Sequence, residues 1–262
     1  MIERWRIRYP NWDLPDPDVR QIADTFSRHT FQSDKGSVKL PYRLFVPEQI
    51  HKESIPLVLF LHGADTTGRD NEEQLTAHDI GTVFARTEWQ RHDPCVVVAP
   101  QYNRGHHWSG LHTGQALIDL IGQLCDRYGF IDRRRILIYG YSAGGYGTLE
   151  LLKHYPDVFY RAICICGATS SEQIEQLVHT PLWLFHAVDD TIVSVGNEMG
   201  RASQYMGSSS IYAYLKDEMG DDLHYTQYEK GEMETKYGVH PHCCWYAVGK
   251  DEEAKRWFFE NV

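Results

Sequence analysis

Five nearly continuous hydrophobic runs in the middle of the chain limit its possible folds more than any other feature. They are PLVLFLH (56–62), CVVVAP (95–100), RILIYGY (135–141), RAICICG (161–167) and PLWLFHA (181–187). Strands that are buried on both faces have this composition, and they occur in parallel sheets that helices cover on both sides. The runs therefore predict a central, mostly parallel sheet.

The stretches around these runs complete the pattern. Helical periodicity extends over about 74–92, 112–128, 143–154 and 194–218, and EEAKRWFFEN predicts a closing helix. Two further strands are predicted, an antiparallel edge strand in VKLPYRLFVP (38–47) and another strand in DLHYTQYE (222–229). Strands that alternate with helices in this way predict an α/β fold with a doubly wound, mostly parallel sheet and helices on both faces.

The chain has no internal repeat and no obvious linker, so residues 1–262 are predicted to form a single α/β domain. Residues 1–30 are rich in Trp and Pro and are interpreted as an irregular N-terminal arm with a short helix. The segments 64–78 and 230–241 are longer than simple connections require. Long loops at the carboxyl ends of parallel strands usually carry function.

Charge and cysteine spacing exclude several classes of partner. The formal net charge is −10, and no dense Lys/Arg cluster is present. Nucleic acid and anionic membranes are therefore not expected as partners. No apolar run approaches membrane-spanning length and no signal peptide is visible, so a cytoplasmic location is predicted. The six cysteines lack zinc or disulfide-scaffold spacing, which favours free thiols in a reducing compartment.

One motif carries the chemistry. Residues 140–144 read Gly-Tyr-Ser-Ala-Gly, which is G-x-S-x-G between a predicted strand and a predicted helix. In such a tight turn the serine adopts a strained backbone conformation, and side chains two residues away on either side would collide. Ser142 is therefore the candidate nucleophile, placed above the N-terminus of a helix that favours developing negative charge.

A serine hydroxyl needs a base and an orienting acid, which in this motif follow downstream in the order acid, then histidine. Asp189 and Asp190 come directly after the strand 181–187, and His240 and His242 come after the strand 222–229 and its loop. Their positions after strands are what make these residues candidates.

With these pieces together, the chain resembles the α/β-hydrolase superfamily. The resemblance is to its single-domain esterases related to feruloyl and acetyl-xylan esterases, polyhydroxybutyrate depolymerases and "predicted peptidases". It runs from about Phe31 to the C-terminus and rests on LPYRLFVPE, PLVLFLHGADTTGRDNEEQL, GYSAGGYGT, FHAVDDTIV and HPHCCWYAV. These motifs are specific for the fold and the triad, and unspecific for the substrate.

The resemblance also ranks the acid and histidine candidates. The family's acid motif, F-H-G-x-x-D-x-x-V, selects Asp190 over Asp189, although Ala187 replaces its Gly. The family's H-x-x-W selects His242, with His240 in reserve. His186, inside the acid motif, is expected to pack or hydrogen-bond rather than to catalyse.

The remaining candidates surround this triad. The oxyanion-hole amides are predicted to be those of Ala143, just after the nucleophile, and Ala64, in LHGAD. Trp108 and Tyr141 are candidates for substrate contact. Metal binding by the adjacent pair His106 and His107 has no carboxylate at suitable spacing to support it.

The sequence thus predicts a serine hydrolase that cleaves small-molecule carboxylic esters through an acyl-enzyme, with no cofactor and no metal. Short-chain, carbohydrate or phenolic esters are the expected substrates. Two alternatives stay open, a serine peptidase of the same fold and a non-catalytic α/β-hydrolase scaffold. The vicinal Cys243 and Cys244 are interpreted as buried thiols rather than a redox switch. The sequence does not address the oligomeric state.

Overall fold

An eight-stranded sheet forms the centre of the molecule. A computed structural model describes residues 17–33, 38–103, 107–196 and 205–260. The strands found there are β1 (Ser27–Gln32), β2 (Lys39–Phe45), β3 (Ile55–Leu61), β4 (Val96–Pro100), β5 (Ile131–Tyr141), β6 (Arg161–Ile165), β7 (Ala168–Ser170), β8 (Leu182–Ala187), β9 (Tyr205–Gly207) and β10 (Leu223–Tyr228). The large sheet has the order β1-β2-β4-β3-β5-β6-β8-β10, and β7 pairs with β9 in a separate small sheet.

The hydrophobic runs became the buried strands that were predicted. Every residue of β3, β4 and β8 is buried. In the large sheet, the neighbours in the order β4-β3-β5-β6-β8-β10 pair in parallel. In contrast, β1 pairs with β2, and β2 with β4, in antiparallel fashion. The predicted α/β fold with a mostly parallel sheet is confirmed.

The outer edge of the sheet differs from the prediction. The strand expected at 38–47 is present as β2, but it is not an edge strand, because β1 pairs along its outer side. The β1 segment was expected to be part of an irregular arm. The burial pattern of β1 explains the error. Phe31 is the one buried side chain of this strand, so the sequence shows no alternation of buried and exposed residues. Residues 1–16 of the predicted arm lie outside the described residues.

The α-helices of the described ranges are α1 (Val19–Asp24), α2 (Glu73–Thr76), α3 (Thr87–His92), α4 (Leu111–Arg127), α5 (Ala143–His154), α6 (Ser208–Met219), α7 (Glu232–Tyr237), α8 (Trp245–Val248) and α9 (Glu252–Phe258). The helices predicted at 112–128 and 143–154 and the closing helix agree with α4, α5 and α9. The short helix expected in the arm is α1.

Two predicted helices are wrong in extent. The stretch 74–92 is divided into α2, two 3₁₀ turns and α3, because His78 is extended and the turns bury Ile80, Val83 and Phe84. The stretch 194–218 contains β9 before α6, and its residues 197–204 lie outside the described part. The helix begins at 208, directly after Gly207, whose backbone is extended. Gly207 packs against the backbone of Ser194, where an added Cβ would lie 2.1 Å from the carbonyl oxygen.

The core is built on both faces of the sheet. Along β3, Leu57, Leu59 and Leu61 belong to one buried cluster, which also contains residues of α4, α5 and α6. Val58 and Phe60 point to the other face and join a second cluster with residues of α8 and α9. This alternation puts helices on both sides of the sheet. None of the described helices is long and apolar enough to span a bilayer.

Candidate active site

Ser142 occupies a strained turn between β5 and α5. Its backbone has φ 52° and ψ −119°, a region that non-glycine residues rarely adopt. An added Cβ at Gly140 would lie 2.4 Å from the carbonyl oxygen of Gly144, and one at Gly144 would lie 1.9 Å from that of Leu61. Both glycines are therefore required by close backbone packing, as the motif predicted.

His242 and Asp190 stand in line with the Ser142 hydroxyl. Nε2 of His242 lies 2.9 Å from Oγ of Ser142, and Nδ1 lies 2.6 Å from Oδ2 of Asp190. A carboxylate can only accept, so Nδ1 carries a hydrogen and donates it to Asp190. In the neutral ring, Nε2 is then free to accept the proton of Ser142. The three predicted residues, far apart in the sequence, meet in the arrangement that a catalytic triad requires.

The carboxylate of Asp190 is held from two sides. Its Oδ1 accepts hydrogen bonds from the backbone N–H groups of Ile192 and Val193, at 2.8 and 3.1 Å. Its Oδ2 also lies 3.1 Å from Nε2 of His186. Burial by itself would raise the pKa of Asp190, but the hydrogen bonds from His186 and His242 outweigh it and hold this pKa well below its usual range. Asp190 is therefore ionised at neutral pH.

The alternative acid and base have other partners. Oδ2 of Asp189 accepts from the N–H of Gly231 at 2.9 Å. Nδ1 of His240 accepts from the backbone N–H of His242 at 3.0 Å, and its Nε2 lies 3.3 Å from Oγ1 of Thr191. The geometry thus favours Asp190 and His242, and gives Asp189 and His240 contacts that orient the loops around them.

The two amides predicted for the oxyanion hole lie at the same edge of the sheet. Leu61 in β3 pairs with Gly140 in the neighbouring β5, so Ala64 and Ala143 both come three residues after a matched pair. Ala143 is the first residue of α5, and the N–H groups of a first helical turn have no partner within the helix. Ala64 is likewise the first residue of a short 3₁₀ helix. Their role as oxyanion donors stays a prediction.

A buried histidine supports the loop that contains Ala64. Nδ1 of His62 lies 2.6 Å from the carbonyl oxygen of Gly63, and its Nε2 accepts from the N–H of Tyr102 at 3.3 Å. Burial lowers the pKa of His62 to about 4, so the ring is neutral at pH 7. The neutral tautomer with hydrogen on Nδ1 satisfies both contacts.

The prediction that Trp108 and Tyr141 contact substrate is not supported. Trp108 is 2% exposed and donates from Nε1 to the carbonyl oxygen of His62 at 2.9 Å. Tyr141 is 1% exposed, and its hydroxyl donates to Oδ1 of Asp65 at 3.1 Å. Both side chains are enclosed by the protein and hold the loop after β3, so this assignment is corrected to a packing role.

The sequence analysis did not predict the partners in two contacts near the site. Nε2 of His78 lies 2.6 Å from Oδ2 of Asp65, next to Ala64, and no sequence pattern relates these residues. The hydrogen bonds from His78 and Tyr141 outweigh burial and lower the pKa of Asp65. His186 packs and hydrogen-bonds as predicted, but its contact with Asp190 was not foreseen, although the F-H-x-x-x-D spacing of the acid motif contained the signal.

Exposed apolar side chains suggest where a substrate can lie. Four large hydrophobic side chains are exposed in the described residues, and Ile192 and Tyr205 are among them. Ile192 lies two residues after Asp190. The ring of Tyr205 lies 6.2 Å from that of Tyr146, which is one turn after Ser142. This rim, defined by Ile192, Tyr205 and Tyr146, was not predicted as a unit.

The other candidates have limited support. No group of three or more metal-ligating side chains occurs within the described ranges; His106 lies outside them and His107 inside. All six cysteines are buried free thiols. Burial raises the pKa of Cys243 and of Cys244 well above the usual value, which makes both poor nucleophiles.

Comparisons with known proteins show hydrolases of similar fold. The family model of the prolyl oligopeptidases (peptidase S9) matches residues 102–189, about a third of the chain. A thermostable esterase of known structure is 37% identical, with a TM-score of 0.81 over 92% of this chain and 64% of its own. The chain therefore spans somewhat less than two thirds of that esterase.

More distant structures share the fold. The acylaminoacyl peptidase of Pyrococcus horikoshii has a TM-score of 0.62 and 18% identity, covering 86% of this chain and 41% of its own. Est1E from Butyrivibrio proteoclasticus has a TM-score of 0.57 and 12% identity, covering 89% and 98%. An uncharacterized secreted protein of Arthroderma benhamiae is 29% identical over 144 residues, which is 53% of this chain and 14% of that protein.

Proposed function

We propose that this chain, which belongs to the α/β-hydrolase superfamily, is a serine esterase that cleaves small-molecule carboxylic esters through an acyl-enzyme. The observation that carries the proposal is the continuous hydrogen-bond line from Ser142 through His242 to Asp190. The strained turn at Ser142 adds support, because it presents the hydroxyl at the start of a helix.

In the proposed reaction, Nε2 of His242 takes the proton of the Ser142 hydroxyl while the serine oxygen attacks the ester carbonyl. Asp190 keeps the imidazole in the required tautomer and stabilises the imidazolium. The amides of Ala143 and Ala64 hold the negative oxygen of the tetrahedral intermediate. The intermediate expels the alcohol, which receives its proton from His242. Water then repeats the same steps on the acyl-enzyme and restores Ser142.

Replacement of the nucleophile tests the function directly. Ser142→Ala should keep the fold and abolish hydrolysis of p-nitrophenyl acetate and butyrate, because no other hydroxyl stands at Nε2 of His242 in the described residues. Labelling by a fluorophosphonate probe should disappear together with the activity. Ser209→Ala is the control, because the Ser209 hydroxyl donates to the carbonyl oxygen of Val195. This variant should leave both readouts unchanged. Undiminished turnover in Ser142→Ala would refute the proposal.

A serine peptidase is the second candidate. The match to the prolyl oligopeptidase family model favours it, whereas the more similar esterase structure favours ester cleavage. Parallel assays with short-chain, feruloyl and acetylated sugar esters and with peptide amides distinguish the two. Amide turnover comparable to ester turnover would favour the peptidase. A folded chain that reacts with neither substrate nor probe would indicate a non-catalytic scaffold.

A further inference from the structure

A second histidine lies behind the acid of the proposed triad. His186 is in β8, fully buried, and its ring makes three polar contacts. Nε2 lies 3.1 Å from Oδ2 of Asp190 and 3.1 Å from the carbonyl oxygen of Val193, and Nδ1 lies 2.9 Å from Oγ of Ser208. The mechanism described above uses none of these contacts.

The partners of His186 determine where its hydrogen lies. A carboxylate and a carbonyl oxygen can only accept, so Nε2 must carry a hydrogen that both share. In the neutral ring, Nδ1 is then the acceptor, and the Ser208 hydroxyl donates to it. Ser208 is itself fully buried at the first position of α6. Each polar atom of the ring and the hydroxyl thus has a defined partner.

The carboxylate of Asp190 needs this second donor. The two backbone amides both donate to Oδ1, so neither of them contacts Oδ2. Oδ2 receives one hydrogen bond from His242 and one from His186. The Nδ1 hydrogen of His242 stays in place, but the charge of this ring changes as Nε2 gains and loses a proton. His186 contacts no reacting atom, so it is placed to hold the direction of Oδ2 throughout the reaction.

We propose that Ser208 and His186 are positioning residues of the triad: Ser208 orients the ring of His186, and His186 holds Oδ2 of Asp190 toward His242. The inference rests on the proposed esterase function. It extends the hydrogen-bond line to five side chains, from the first residue of α6 to the nucleophile. Ser208 also directly follows β9, the strand that carries the exposed Tyr205.

The other titratable groups around this line must be considered before a pH profile is interpreted. Asp189 and His240 flank it in the adjacent loops and bond the backbone of Gly231 and His242. Cys166, Cys243 and Cys244 pack nearby, and burial raises the pKa of each thiol well above its usual value. The thiols therefore stay neutral across the pH range of the assay. To exclude a contribution from Asp189 or His240, the pH profiles are also measured in the Asp189→Asn and His240→Gln backgrounds.

Paired substitutions at His186 test the role of Nε2. The amide nitrogen of Gln reaches the position of Nε2, whereas that of Asn reaches only the position of Nδ1. We expect His186→Asn to lower kcat with p-nitrophenyl acetate about ten- to hundredfold with little change in KM, because a misplaced catalytic group is costly. His186→Gln should recover most of the loss. Equal rates in wild type and His186→Asn would overturn the proposal.

The pH profile separates this role from a purely structural one. Loss of the His186 hydrogen bond leaves Asp190 with one donor fewer, so the carboxylate stabilises the imidazolium of His242 more strongly. We expect the acid limb of kcat/KM to move to higher pH in His186→Asn and back toward wild type in His186→Gln. A uniform fall in kcat/KM with an unmoved or lowered limb would mean that His186 acts through folding alone, which contradicts the proposal.

Ser208→Ala tests the outer member of the line against a matched control. It removes the donor to Nδ1 of His186 and should lower kcat severalfold, with an intact fold by circular dichroism. Ser209→Ala removes the neighbouring hydroxyl, which donates to the carbonyl oxygen of Val195. This variant should not lower kcat. Equal kcat in the two variants would refute the role of Ser208. The failure of the esterase function itself would look different, since wild type would then show no Ser142-dependent turnover.

Discussion

Among single residues, Ser142 and its flanking glycines carry the clearest energetic cost. A non-glycine residue in this backbone region costs about 1–3 kcal/mol, and the surrounding packing must supply it. The N–H of Ser142 donates to the carbonyl oxygen of Ile165 at 2.9 Å, and its carbonyl oxygen accepts from Tyr146 at 3.0 Å. These two bonds fix the turn from both sides, so the hydroxyl has little freedom to leave His242.

The strained turn between β5 and α5 should tolerate no side chain at Gly144. Gly144→Ala is expected to destabilise the fold by about 1–3 kcal/mol or more, because its Cβ would meet the Leu61 carbonyl, which is backbone in a central strand. The measurement is urea unfolding. Gly122→Ala is the matched control: it lies in α4 with nothing within 4 Å of an added Cβ, and should gain about 0.5–1 kcal/mol. Similar effects at both sites would contradict the packing argument.

The adjacent aspartates should differ sharply in their effect on activity. Asp190→Asn is expected to lower kcat by about two to four orders of magnitude, because the amide no longer fixes the tautomer of His242. Asp189→Asn keeps an oxygen that can accept from Gly231 and should stay close to wild type. Steady-state kinetics with p-nitrophenyl butyrate measures both. The reverse order would move the acid to Asp189.

At the scale of elements, the loop after β3 is fixed by buried polar contacts. Asn71 is 8% exposed and has φ 54°. Its Nδ2 donates to the carbonyl oxygens of His29 in β1 and Tyr42 in β2, at 3.3 and 3.0 Å. The guanidinium of Arg43 donates to the carbonyl oxygen of Asn71. The two outer strands therefore hold the loop that begins with Ala64, which gives β1 and β2 a part in shaping the site.

Substitution of Asn71 should separate backbone strain from hydrogen bonding. Asn71→Ala is expected to destabilise by about 2–3 kcal/mol, because it removes the hydrogen bonds of the Asn71 side chain to His29, Tyr42 and Gln74 and keeps a positive φ. Asn71→Gly removes the strain and should be milder by about 1 kcal/mol. Urea unfolding monitored by fluorescence gives both values. An alanine variant as stable as the glycine variant would show that the strain is negligible.

For the whole molecule, acid stability depends on buried ionisable groups. His62 is neutral in the fold but binds a proton when unfolded, since its pKa falls from 6.5 to about 4 on burial. The pKa values of Asp190, Asp65 and Asp70 are lowered in the fold. Groups of both kinds favour the folded state at neutral pH and lose that contribution as the pH falls. The histidine loses it first, and the aspartates below about pH 4.

The first phase of acid destabilisation should belong to His62. Between pH 6.5 and pH 4 the unfolded chain takes up a proton there that the folded chain does not. The unfolding free energy should therefore fall by on the order of 3 kcal/mol over this range. His62→Asn, whose amide can still donate to Gly63, should show a shallower slope in urea unfolding at pH 7, 5.5 and 4.5. Identical slopes would assign the proton uptake elsewhere.

The accuracy of the sequence-based predictions depended on the kind of signal each residue gives. Strongly apolar strands were predicted because burial on both faces leaves a continuous run. The β1 strand was missed because one buried side chain, Phe31, gives no pattern. The roles of Trp108 and Tyr141 were wrong because position near a motif does not reveal which side chains the fold encloses. Asp65 and His78, thirteen positions apart, meet through loop geometry that no local pattern encodes.

The sequence alone determined the buried parallel strands of the sheet, the tight turn at Ser142 and the order of acid and histidine, because periodicity and glycine placement are local properties of the chain. The tertiary structure decided which of two aspartates and which of two histidines stand in line with the hydroxyl. It also decided that His186 and Ser208 lie behind the acid. Such choices depend on which side chains of different elements face one another, and that is set only when the strands and helices pack together.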